Sequence, residues 1–188
     1  MKHITRKTRI TGGILLVLAL LLTIATLISE EVKQPVLTQL SGTVTWKNDQ
    51  YILQSGKTRL MLAILPPDAL DSLKFRPQTK DAVTVTGYKS KGSFVCTSAI
   101  WKDAVYTFRD SLNVPVLQGT STWKADKKTC IGCRLCFNNC PVNAITMVEV
   151  SKGTFRSQID QTKCVGCNTC IAGNGSDFQG CPVKAISK

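Results

Sequence analysis

Acidic residues are scarce: 12 Asp and Glu stand against 24 Lys and Arg in 188 residues, a formal net charge of +12. None of them precedes Glu30. Histidine occurs once, as His3, and aromatic residues make up only 6% of the chain. A lone histidine at the extreme N-terminus leaves no Ser-His-Asp constellation, so catalysis at a substrate by that chemistry is excluded. So few aromatics imply no single large aromatic core. The charge balance suits nucleic acid, an anionic membrane surface or an acidic protein partner, and charge alone does not choose among them.

The first strong feature is an uncharged run from Ile10 to Ile28, preceded by Lys2, Arg6, Lys7 and Arg9 and followed by Glu30 and Glu31. As a helix it would span roughly 28 Å, close to a hydrocarbon core. Residues 10–28 are therefore expected to form an uncleaved single-pass anchor within an N-terminal segment of residues 1–30. A cleaved signal peptide is the alternative. Leu27-Ile28-Ser29 puts a bulky residue where cleavage wants a small one, and Thr23-Ile24-Ala25 lies inside the apolar run. The basic flank places the N-terminus in the cytoplasm and the bulk of the chain outside the cell membrane. Thr5 to Ile10 faintly resembles a twin-arginine export signal, with Lys7 in place of the second arginine. An ordinary positive flank is the other reading.

Residues 36–112 alternate short apolar runs with turn residues. Strands are expected at Gly42 to Trp46, Tyr51 to Gln54, Thr58 to Leu62, Ala82 to Tyr88, Ser93 to Trp101 and Val105 to Phe108. A short helix is expected from Ala69 to Phe75, capped by Asp68. Five or six strands and one helix in this space imply a small antiparallel β-barrel. The order resembles a bacterial OB-fold domain over residues 38–110. Such folds often bind oligonucleotides, but Trp46, Tyr51, Tyr88 and Lys89 fit ordinary sheet positions better than a stacking face. A docking or spacer role is expected, with no nucleic-acid partner. Cys96 reads as a buried structural thiol.

Eight of the nine cysteines lie in the C-terminal third. Cys130, Cys133, Cys136 and Cys140-Pro141 form one run. Cys164, Cys167, Cys170 and Cys181-Pro182 form the other. A disulfide framework would scatter cysteines, whereas tight CxxC steps suit a metal centre. Three thiolates at two-residue intervals can wrap one iron–sulfur cubane, and Gly132 and Gly166 let the loop backbone come close. Asp126 and Asp160 precede the two runs equivalently, and Cys140 to Ile145 answers Cys181 to Ile186. Four-cysteine zinc is the alternative. It has no need of the third cysteine or of the trailing Cys-Pro in both halves.

This duplication resembles the two-cluster bacterial-type ferredoxin family over residues 124–188. The resemblance implies two [4Fe–4S] clusters. Cys130, Cys133, Cys136 and Cys181 would hold one, and Cys164, Cys167, Cys170 and Cys140 the other. It also implies a helix after each Cys-Pro. The Gly-rich loop Ile171 to Gly180 departs from the family pattern. Residues 113–123 read as a linker. The expected whole is an α+β protein with a transmembrane helix, an OB-like barrel and a duplicated ferredoxin-like domain. Its expected function is a membrane-anchored electron relay, a non-catalytic subunit or partner of an oxidoreductase. The alternative is a ligand-binding or redox-sensing module with structural or regulatory clusters. Nine Lys and Arg against four acids in residues 124–188 suggest an acidic redox protein as the partner.

Overall fold

A computed structural model describes residues 34–111, 113–117 and 123–188. The chain divides into residues 1–35 and a compact unit of residues 36–188. In the first half of that unit, alternating apolar residues build β1 (Thr38–Lys47), β2 (Gln50–Ser55), β3 (Thr58–Ala63), β4 (Ala82–Ser90), β5 (Ser93–Trp101) and β6 (Ala104–Thr107). β1 pairs with both β2 and β4. β3 pairs antiparallel with β2 and parallel with β5, which also pairs with β4. The parallel β3–β5 contact closes five strands into a small OB-like barrel, and β6 pairs with the last residues of β5 on the edge that β3 meets at its start.

Period-two alternation sends Val44, Leu53, Leu62, Val83, Val85 and Phe94 into the barrel core. Helix α1 (Pro67–Ser72) joins β3 to β4 and buries Ala69 and Leu70. Its start differs from expectation. Pro66 is the cap residue, and Pro67 opens the first turn, where its fixed φ suits a helix and its missing N–H is harmless. Asp68 lies inside that turn rather than at the cap. The scarce aromatics are concentrated rather than dispersed. Phe75 meets Tyr51, Trp101, Tyr106 and Phe108 edge-on, with centroids 6.0, 5.8, 4.9 and 5.1 Å away. The barrel thus has the aromatic core that composition alone did not suggest.

The second half contains β7 (Lys124–Ala125), α2 (Leu135–Asn139), β8 (Ile145–Ser151), β9 (Thr154–Ile159), α3 (Thr169–Ala172) and β10 (Ile186–Ser187). Its turns repeat. Asp126 and Asp160 donate their N–H groups to Ala185 O and Ala144 O, both at 2.7 Å. Cys130 and Cys164 donate theirs to the Asp126 and Asp160 carbonyls, both at 2.9 Å. The larger elements do not match. β8 and β9 form a hairpin of 7 and 6 residues, whereas β7 and β10 pair over 2 residues each. The expected duplicated ferredoxin-like domain is corrected to recurring turns on unequal strands. The expected helices after Pro141 and Pro182 are absent too. Asn143 and Lys184 adopt left-handed φ of 52° and 53°, which breaks a helix, and the chain enters β8 and β10 instead.

The expected membrane anchor is also corrected. Among the described residues no helix is long and apolar enough to cross a membrane. Residues 10–28, on which the single-pass topology with an extracytoplasmic bulk was expected, lie outside the described residues.

The barrel and the cysteine-rich half are joined by polar contacts at two barrel turns. At the β1–β2 turn, Asn168 Nδ2 donates to Asn48 O at 2.6 Å, and Gln50 Nε2 donates to Cys167 O at 3.0 Å. At the β4–β5 turn, Ser90 Oγ donates to Pro141 O at 2.9 Å and Lys91 Nζ to Asn143 Oδ1 at 2.6 Å. Gln50 is buried, so its contact forms a fixed part of the seam.

Candidate functional site

The two cysteine loops are shaped by the same backbone device. Arg134 and Asn168, each one residue after the second cysteine of its run, adopt left-handed φ of 63° and 65°. Each then leads into the short helix that carries the third cysteine, Cys136 in α2 and Cys170 in α3. Gly132 has φ 71°, and a Cβ there would lie 2.4 Å from Phe155 O, so the first loop lies directly on β9. The close approach is to the backbone of β9, not to a cluster as the sequence argument expected. Gly166 is less constrained: its nearest neighbour, Pro66, lies 3.4 Å from an added Cβ.

Four thiols from two separated stretches line one cavity: Cys140, Cys164, Cys167 and Cys170. Val142, Val165 and Ile159 provide apolar walls, with Trp123 and Thr169 beside them. Cys140 is buried and the other three are partly exposed. Burial pushes the Cys167 thiol up to about 11, against the Thr169 hydroxyl and N–H, with Cys140 and Cys164 adding to the rise. Burial likewise pushes Cys170 up, and Cys167, Cys164, Cys140 and Cys136 reinforce it. Cys167 and Cys170 thus both feel the neighbouring cysteines, with Cys136 of the first run among those acting on Cys170.

The other four are less unified. Cys130 and Cys136 are buried, Cys181 is partly exposed and Cys133 is exposed. Burial raises the Cys136 thiol, opposed by the Ser157 hydroxyl and Phe137 N–H, while Cys181 and Cys130 add to the rise. Burial also acts upward on Cys130. There, Ser157, the Gly132 N–H and the Arg156 charge outweigh it and hold the thiol below its usual value.

Several sulfurs are engaged locally. Cys130 Sγ lies 3.4 Å from Ser157 Oγ and Cys167 Sγ 3.2 Å from Thr169 Oγ1. Ala144 N–H donates to Cys140 Sγ at 3.2 Å, and Ala185 N–H to Cys181 Sγ at 3.3 Å. The thiols are distributed over the walls rather than drawn to a point. Among the described residues no group of three or more His, Cys, Asp or Glu side chains could hold a metal ion.

Ser157, Thr169, Gln50 and Asn168 were not singled out from sequence. Ser157 is a β9 residue 27 positions from Cys130, and nothing in its neighbourhood marks it. Thr169 and Asn168 sit inside the second cysteine run, where a polar pair between two ligand candidates is a usable signal.

No curated protein matches the chain. Residues 129–173 match the family model described as a 4Fe-4S dicluster domain. The match covers less than half of the chain and ends before Cys181. The donor chemistry of thiolates suits iron–sulfur ligation, but the grouping does not. The two-cluster ferredoxin reading is corrected on that finding, and the two [4Fe–4S] clusters with it. The iron–sulfur electron relay, the place as an oxidoreductase subunit and the alternative of a cluster-based sensor all depended on those clusters. They are corrected for the same reason.

Proposed function

We propose that residues 124–188 are a thiol-bearing module seated on a barrel scaffold, with the cysteine thiols as its functional groups. Cys140, Cys164, Cys167 and Cys170 act as one set of thiols lining a shared cavity. Cys130, Cys133, Cys136 and Cys181 are assigned as a second, looser set. The observation that carries this reading is the shared cavity: the pairing of Ile145 with Ile159 closes the β8–β9 hairpin and sets Cys140, before it, beside the 164–170 loop, after it. The match to a cysteine-ligated family over residues 129–173 supports the same residues at a coarser level.

The barrel holds the module. OB-like barrels commonly bind ligands through the loops between strands 1 and 2 and between strands 4 and 5. Here the corresponding turns grip this chain's own cysteine loops through Asn48, Gln50, Ser90 and Lys91.

The proposed partner is an acidic protein surface. Ile131, Leu135 and Phe155 are exposed at 59%, 41% and 37% beside the exposed Cys133. Arg134 lies over the Phe155 ring at 5.8 Å, and Arg156 reaches the Lys127 carbonyl at 3.1 Å, so basic side chains border these apolar residues. Such a border raises association rates with an acidic partner at low salt.

The test is alkylation mapping of the full chain purified without oxygen. Cys140, Cys164, Cys167 and Cys170 are expected to be protected together and to lose protection together in Cys140→Ser. Four unrelated rates, with Cys140→Ser affecting no other position, would contradict the proposal.

A further inference from the structure

Leu53, Leu60 and Leu62 face the barrel core, so strand alternation turns Ile52, Arg59 and Met61 outward. On that outer face Lys47, Ile52, Arg59 and Met61 line a cleft of about 210 Å³, and Ala172 and Asn174 of the Gly-rich loop stand opposite. The lining holds no cysteine and no carboxylate. Floor and wall are preformed. Gln50, also in the lining, is buried, and its Nε2 lies 3.0 Å from Met61 Sδ and 3.0 Å from the Cys167 carbonyl. Asn174 is buried too. Its Oδ1 accepts from the Ser176 and Phe178 N–H groups at 3.0 and 3.1 Å, and its Nδ2 donates to Asp177 Oδ1 at 2.8 Å. The amide donors are therefore committed within the chain, and Ile52, Met61 and Ala172 leave the middle of the cleft apolar.

The two cations stand at opposite corners. Lys47 pairs with Gln50 and Arg59 with Gln54. Their positions differ by four residues along β2, about 13 Å, and by two strand spacings across the sheet, about 10 Å. Among the described residues neither cation forms an ion pair. The nearby acids are occupied: Asp49 pairs with Lys188 at 3.4 Å, and Asp177 is held by Asn174 and Ser176.

We infer that this cleft binds a small dicarboxylate, with one carboxylate on Lys47, the other on Arg59 and the methylene chain between them on Ile52, Met61 and Ala172. Two separated cations ask for a ligand with separated anionic ends. An inorganic phosphate gathers its charge at one point and meets only one of them. An apolar middle without free donors suits a hydrocarbon spacer, because a polar spacer would be stripped of water without a partner. The planar fork of Arg59 matches a carboxylate with two parallel hydrogen bonds. The volume falls below the roughly 300–1,000 Å³ of pockets for drug-sized ligands, which limits the spacer to a few carbons. The site is separate from the thiol cavity and does not depend on it.

The test is an NMR titration of the methyl-labelled full chain at low ionic strength, with glutarate, butyrate and inorganic phosphate as probes. The Met61 methyl reports on the cleft, and the Met147 methyl, in β8, serves as the internal control. Glutarate is expected to shift Met61 and leave Met147 in place. Its affinity is expected to exceed that of butyrate, which carries a single carboxylate, by about tenfold or more. Lys47→Gln and Arg59→Gln each bring glutarate down to the butyrate level. Both side chains are exposed, so neither variant threatens the fold. Lys57→Gln, an exposed position in the β2–β3 turn outside the cleft, leaves the glutarate affinity unchanged. No shift at Met61, or equal affinities for glutarate and butyrate, would overturn the inference. Phosphate binding as tightly as glutarate would overturn the assignment to a dicarboxylate. A loss in Lys57→Gln as large as that in Arg59→Gln would reduce the effect to net charge and overturn the site.

Discussion

Gln50 and Cys167 are joined by a hydrogen bond of 3.0 Å, from the buried Nε2 of a barrel strand to the backbone carbonyl of a cysteine loop 117 residues away. The same amide lies 3.0 Å from Met61 Sδ, and Thr169 Oγ1 lies 3.5 Å from that sulfur. Barrel and loop thus share one small polar cluster, and the position of Cys167 is set from the barrel. Gln50→Leu removes the donor and leaves the Cys167 carbonyl unsatisfied, at a cost of about 1–3 kcal/mol. Denaturant titration is expected to show that loss. Amide exchange should quicken in the 164–170 loop more than in β4 and β5. A uniform change across the chain would argue against a local hold.

Phe75 is the hub of the barrel aromatics, fully buried and in contact with four rings. Phe75→Ala is expected to cost about 3–5 kcal/mol through lost burial and the cavity left behind. Thermal unfolding checks this. A shift no larger than that of a surface substitution would contradict the placement of the core.

Gly132 and Gly153 both hold positive φ, 71° and 76°, but in different surroundings. An added Cβ at Gly132 would meet Phe155 O at 2.4 Å, whereas at Gly153 it would meet nothing within 4 Å. Gly153→Ala is expected to cost about 1 kcal/mol, from backbone strain alone. Gly132→Ala adds a backbone clash and is expected to cost clearly more. It should also expose Cys130 and Cys136 to alkylation. Equal stabilities for the two variants would show that the first loop does not press on β9.

Asp126 and Asp160 cap the turns that lead into the two cysteine runs. Asp126 accepts from the Thr129 hydroxyl and from the N–H groups of Lys128 and Thr129. Asp160 accepts from the Thr162 hydroxyl and N–H, at 2.6 and 2.9 Å, and pairs with Lys163. The Thr129 hydroxyl, and for Asp160 the Thr162 hydroxyl, leads the interactions that hold each carboxyl below its ordinary value. A depressed carboxylate gives stability that is present above its unfolded pKa, about 3.9. That stability is lost as pH falls through the lower folded value. Urea midpoints are therefore expected to fall on acidification below about pH 4, with a shallower slope in Asp126→Asn and Asp160→Asn. An identical acid slope in both variants would contradict this role.

The barrel was readable because its strands alternate apolar and polar residues and its turns carry Asn, Asp and Gly. The Trp46–Lys47–Asn48–Asp49 stretch marks the β1–β2 turn directly. The parallel β3–β5 closure has no local signature, since Leu62 opposite Phe94 is a pairing of distant residues. Composition hid the aromatic core because it counts residues without placing them. The helices expected after the Cys-Pro steps failed at Asn143 and Lys184. Their left-handed backbone ends any helix before it starts, and only asparagine gave a hint of that. The cysteine spacing identified the right residues but not their grouping. That Cys140 joins the second run is what the family resemblance implies. The actual disposition of the thiols over a cavity wall depends on contacts to Ser157, Thr169 and Gln50, which lie outside the motif. The seam with the barrel had no sequence signal at all.

The central claim is that the four cavity cysteines behave as one set. Alkylation rates mapped by mass on the full chain, purified without oxygen, test it most directly. The account predicts that Cys140, Cys164, Cys167 and Cys170 share their protection and that Cys140→Ser changes the other three together. Four unrelated rates, with Cys140→Ser affecting no other position, would contradict it.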